Sequence, residues 1–112
     1  MTSLVAIWQQ VNAARCRFIG VETDLGLTFA RSAMGADSTE ECLHNRRLAR
    51  LAYDTATKMM TTTALADRQA ATLRRKTKLL KALLGRLGDP KYAVKTARPR
   101  QKSSVRDKRL QL

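Results

Sequence analysis

Apolar side chains recur every seven residues near the start of the chain. Leu4, Val11, Phe18 and Leu25 hold one position of the repeat; Ile7, Ala14, Val21 and Thr28 hold the other. Alternate steps of three and four residues put all eight in one stripe of a long helix, since a turn takes 3.6 residues. Ala13, Cys16 and Gly20 run beside the stripe as a ridge of small residues. Gly20 and Gly26 each cost about 1 kcal/mol against alanine in a helix interior, a cost that close approach of a neighbouring helix can offset. The pattern predicts a helix over 3–34, with Gly35 supplying the turn that ends it.

A second helix is announced by Ser38-Thr39-Glu40-Glu41, a capping box with Ser38 as N-cap and Glu41 at the third helical position. The helix is predicted over 38–61. Its inner face, through Leu48, Ala49, Ala52, Tyr53, Ala56, Met59 and Met60, is unusually small and is expected to lie against Gly20 and Cys16 in a tight hairpin. The β-branched run Thr61-Thr62-Thr63 disfavours continuation and Thr63 can cap the next helix, the alternative being one unbroken helix through both segments. That third helix is predicted over 64–87, where Leu73, Leu80 and Leu87 repeat every seven residues and Leu79, Leu83 and Leu84 widen the stripe. Gly88 and Pro90 stop it. The expected fold is all-α: a long antiparallel hairpin plus a third helix in one domain, residues 1–87, followed by a basic tail, 88–112, disordered when alone.

Composition narrows the classes. The 112 residues are 44% hydrophobic and 28% charged, the balance of one foldable domain. Aromatics at 4%, two cysteines and one histidine weigh against a zinc cluster, a disulfide scaffold or a β-sandwich. So few structured residues bury only a modest core, and self-association through the first helix's heptad stripe is the expected way to complete it. The apolar run Leu4 to Trp8 is far short of the ~20 residues that span a bilayer. A cytoplasmic protein is expected. The alternative is an organelle-matrix protein, because residues 1–21 contain no acid, carry Arg15 and Arg17, and are amphipathic like a presequence. Antiparallel pairing about Gly35 sets opposite each other residues whose numbers sum to about 72. Cys16 would then face Ala56, far from Cys42, leaving two reduced thiols.

Charge changes the picture most. The net charge is +13, but residues 1–63 hold seven basic and six acidic side chains. Residues 64–87 hold seven basic against Asp67 alone, and residues 88–112 hold eight basic against two acidic. A neutral scaffold therefore carries a cationic helix and tail. Cations so grouped neutralise phosphates and release counterions. The candidate phosphate ligands are Arg74, Arg75, Lys76, Lys78 and Lys81, with Arg98, Arg100, Lys102, Arg106, Lys108 and Arg109 in the tail. Tyr92 is the single aromatic of the basic half, which favours backbone or shape recognition over base stacking. The expected function is non-enzymatic binding of nucleic acid, RNA or a ribonucleoprotein before DNA. The competing expectation is a protein-interaction module, an adaptor hairpin or a subunit of a helical assembly. An anionic membrane surface is a weaker third, since the leucines beside the basic face are more simply core.

No group of residues has catalytic or metal-binding spacing, and no cofactor is expected. His44 and Cys42 are two apart and point to different helical faces, as do Glu22 and Asp24. Cys16 lies between Arg15 and Arg17 but has no histidine nearby in sequence to activate it. Arg100-Gln101-Lys102-Ser103 has the form of a basophilic phosphorylation site, where added phosphate would weaken anion binding.

Leu25-Gly26-x-x-Phe29, together with Ala49, Tyr53 and Ala56, resembles the helix pair of a tetratricopeptide repeat. That family places Leu-Gly-x-x-Tyr on its first helix and Ala-x3-Phe/Tyr-x2-Ala on its second. The resemblance runs from Leu25 to Ala56 in one copy, and the stretch between its halves is longer than the family's. It implies a packed hairpin and a peptide- or protein-binding role without catalysis.

Overall fold

A computed structural model describes residues 3–93. They form three helices in chain order: α1 (Leu4–Met34), α2 (Thr39–Met60) and α3 (Asp67–Arg86). Among the described residues there is no strand. Each boundary has a local cause. Ser3 caps α1 by accepting from the Ala6 amide at 3.0 Å, and Gly35 closes it with its amide turned back on Arg31 and Ala33. Ser38 accepts from the Glu41 amide at 3.1 Å, as the capping box requires. The threonine run ends α2 as expected, with the hydroxyls of Thr61, Thr62 and Thr63 all turned back to carbonyls of its last turn.

Thr63 therefore finishes α2 and does not cap α3, which starts later than predicted. The first turn of α3 is held instead by Gln69, whose side chain accepts from the Ala66 amide at 3.1 Å. The intervening linker is clamped to α1. Asn12 imitates a backbone partner, donating to the Ala64 carbonyl at 2.8 Å and accepting from the Ala64 amide at 3.0 Å. Arg15 donates to the hydroxyls of Thr63 and Thr62.

α1 and α2 are antiparallel, and α3 lies against both. The core divides in two. Leu27, Ala30, Ala49, Leu80, Leu83 and Leu84 form one cluster; Ile19, Ala56 and Leu73 form the other. The alanines of α2 are buried as expected, but they do not face Gly20 and Cys16. Gly20 has no atom within 4 Å of where a β-carbon would stand. The close approach is at Gly26, against Ala52 of α2 and Leu80 of α3. The register is also later than an average sum of 72. Cys16 lies beside the Ala64 carbonyl, because Asn12 and Arg15 clamp the linker after α2 onto this part of α1. Cys16 and Cys42 are both free thiols.

The face that α1 buries is Ile19, Thr23, Gly26, Leu27, Ala30 and Ala33. The heptad stripe is not part of it. Leu4, Ile7, Val11, Phe18, Val21 and Leu25 are all exposed, Leu4 by 84% and Val21 by 56%. Leu79, expected to widen the leucine face of α3, also points outward.

The chain does not become a tail at residue 88. Gly88 takes a positive φ of 77°, open to glycine at little cost, and reverses the chain. Residues 89–93 then fold back on α2. Asp89 is 1% exposed. Its carboxylate accepts from the Lys91 amide at 2.9 Å and faces Arg46 and Arg50 at 3.9 and 3.7 Å. Arg46 also donates to the Leu87 carbonyl at 3.1 Å. Tyr92 packs edge-on against Tyr53, centroids 4.9 Å apart, and its hydroxyl donates to Asp54. The folded domain thus extends through Ala93, because an acid and an aromatic in an otherwise basic segment find partners on α2.

Candidate nucleic-acid interface

The cationic residues of α3 follow from its helical phase. Leu73, Thr77, Leu80 and Leu84 point inward at steps of three and four. Arg74, Lys78 and Lys81, also three and four apart, fall on one line along a flank. Arg75 neighbours Lys78 on the outer face. All four are exposed. Arg68 and Arg86 extend the outer face toward the two ends and are exposed as well. The rise along Arg74–Lys78–Lys81 is about 10 Å, at 1.5 Å per residue.

Lys76 belongs elsewhere. Its ammonium donates to Asp24 of α1 at 2.9 Å, on the side of α3 that faces α1. Of the five helical candidates, the structure groups Arg74, Arg75, Lys78 and Lys81 and separates Lys76. The tail candidates Arg98, Arg100, Lys102, Arg106, Lys108 and Arg109, with the Ser103 motif, lie outside the described residues.

Asp24, Asp54 and Asp89 are engaged with other groups. Among the described residues the ion pairs join Asp24 to Lys76, Asp54 to Lys91, and Asp89 to Arg46 and Arg50. None reaches Arg74, Arg75, Lys78 or Lys81. Four cations within two turns, with no internal counterion, repel one another at low salt, and a polyanion laid along the flank relieves that repulsion.

Beside this flank the anchored segment shifts two phenols. Burial pushes the Tyr92 hydroxyl well above the usual phenol range, helped by its hydrogen bond to Asp54 and that residue's negative charge. Tyr53 is raised too, first by burial and then by Asp54, with Lys91 opposing. Both are neutral hydroxyls at neutral pH, placed to hold residues 89–93 on α2. Lys91 also lies 5.4 Å from the Tyr92 ring centroid. Nothing in the sequence pattern pointed to this Asp54–Tyr92 contact, which joins residues far apart in the chain.

The other sequence candidates stay dispersed. His44 is exposed on α2. Asp24 is paired with Lys76, and Glu22 does not share in that pair. Among the described residues no three His, Cys, Asp or Glu side chains converge as a metal site would need, and no helix is long and apolar enough to cross a membrane. No protein-family model matches the chain, and neither a curated protein nor a solved structure is detectably similar to it.

Proposed function

We propose that this protein binds the phosphate backbone of nucleic acid, RNA before DNA, through α3, without catalysing a reaction. The observation that carries the reading is the line of Arg74, Lys78 and Lys81 beside Arg75, exposed and lacking carboxylate partners within the described fold. Basic residues beyond Ala93 would add contacts of the same kind. Sparse aromatics favour recognition of the backbone and its shape over stacking on bases. The scaffold's part is to hold the cationic helix in a fixed orientation, with Asp89 and Tyr92 fastening the chain to α2 where the described fold ends.

The reading is tested by binding to duplex and single-stranded RNA across a salt series, with and without Arg74→Ala, Arg75→Ala, Lys78→Ala and Lys81→Ala combined. If about six phosphates are contacted, affinity falls roughly a thousandfold between 50 and 200 mM salt. The combined variant should flatten that dependence. Truncation should come after Ala93, since cutting at residue 88 would also remove the anchor. A salt-independent affinity, or full binding by the combined variant truncated after Ala93, defeats the proposal.

A further inference from the structure

The heptad of α1 is left largely uncovered within the described fold, although large apolar side chains are what a helix ordinarily buries. Two features of the helix narrow the choice of occupant. The first is length. α1 spans 31 residues and α2 only 22. The clamp of Asn12 and Arg15 on the threonine linker marks where the hairpin stops covering α1. Leu4, Val5, Ile7, Trp8 and Val11 stand beyond it, exposed. The second is period. The stripe repeats at seven residues, not at the 3.6 per turn of a straight helix, and a strict seven-residue repeat is matched by another helix of the same repeat wound against it.

We infer that α1 pairs with α1 of a second copy of this chain, antiparallel, with residues whose numbers sum to 39 opposite each other along the core of the pair. This pairing is independent of the nucleic-acid reading and uses none of its residues. Sizes complement in this register: Phe18 meets Val21 of the second copy, Leu25 meets Ala14, Val11 meets Thr28, and Leu4 and Ile7 meet Gly35 and Ser32. The flanking positions, offset to either side of that core line, agree in charge. Arg15 falls opposite Glu22 and Arg17 opposite Asp24, each made twice by symmetry. Each uncovered N-terminal end then rests on the half of its mate that α2 already supports from the other side.

Competing alignments satisfy less. The antiparallel register summing to 32 sets Arg15 against Arg15 and Arg17 against Arg17 at the dyad. The register summing to 46 does the same with Glu22 and Asp24. A parallel in-register pair joins Arg17 to Glu22 alone and leaves the two uncovered ends to each other. The required groups have capacity to spare. Arg17 and Asp24 are exposed, Asp24 uses one carboxylate oxygen for Lys76, and Arg15 keeps donors beyond the two given to threonines.

The experiment is sedimentation equilibrium of the full chain, nuclease-treated, with circular dichroism to check helix content. A dimer is expected, reduced to monomer by Val21→Asp and unaffected by Leu51→Asp on the exposed side of α2. Arg17→Glu should weaken the dimer about fivefold, on the scale of exposed ion pairs. Adding Asp24→Arg should restore it, whereas adding Glu22→Arg should not. A folded monomer at every concentration overturns the inference, as does a dimer that Val21→Asp leaves intact. Rescue by Glu22→Arg in place of Asp24→Arg overturns the antiparallel register. If the wild type is monomeric and floats with anionic phospholipid vesicles in a Val21-dependent manner, the stripe faces lipid and the dimer is excluded.

Discussion

Gly26 of α1 meets Leu80 of α3 so closely that a β-carbon on the glycine would stand 2.5 Å from the Leu80 Cδ2 atom. Ala52 of α2 closes the other side at 3.1 Å. This is the point where the three helices share one contact, and Leu80 is fully buried there. Gly26→Ala gains about 1 kcal/mol of helix propensity but overpacks a closed site, which costs roughly 1–3 kcal/mol. A net loss is expected. Gly20→Ala meets open space and should stabilise by about 1 kcal/mol. Urea unfolding of the two variants must give opposite signs; stabilisation by both would mean the helices are not in contact at Gly26.

Asp89 is the most deeply buried carboxylate described. Asp89→Ala deletes the acceptor of the Lys91 amide and leaves Arg46 and Arg50 facing each other without a counterion. The arginines are partly exposed and the ion pairs long, so the expected cost is about 2 kcal/mol, below that of breaking a fully buried pair. Thermal unfolding measures it. Amide exchange at Lys91–Ala93 should accelerate in the same variant, and unchanged protection there would contradict the anchoring role.

Tyr92 and Tyr53 both ionise at higher pH in the fold than in the open chain, where a phenol loses its proton near 10. Folding therefore favours the protonated forms. Their contribution to stability is complete below pH 10 and declines as pH rises above it toward the folded values. The unfolding midpoint should fall with pH from 10 upward. Tyr92→Phe should be less stable at pH 7, having lost the bond to Asp54, yet show a shallower decline above pH 10. Parallel pH profiles for the two proteins would place the alkaline transition elsewhere.

Lys76 and Lys78 are close in sequence and differ in partner. Lys78→Ala should reduce the slope of log affinity against log salt for RNA by about 0.9, the value of one phosphate contact. Lys76→Ala should leave the slope unchanged within error, because its ammonium is already held by Asp24. Equal slope changes for both would place Lys76 in the interface as well and dissolve the distinction between the two faces of α3.

Local features were legible in the order of residues alone: that there are three helices, that Ser38 starts the second, that the threonines end it, and that Gly88 turns the chain. Caps, β-branched runs and glycine turns act within a few residues, so their effect is written where it occurs. The leucine side of α3 was legible too, Leu79 excepted, because that helix lies against both others and its burial follows its periodicity. Packing chose which side of α1 turns inward. Apolar periodicity marks a surface that avoids water without naming what covers it, and α1 has two such surfaces. The smaller one, through Gly26, Ala30 and Ala33, lets helix axes approach closely and went to α2 and α3. The larger one remained outside. Folding likewise withdrew Lys76 from its neighbours and recruited Asp89 and Tyr92 to the domain, since an ion pair or a buried hydroxyl depends on a partner that the chain brings near only once its helices are assembled.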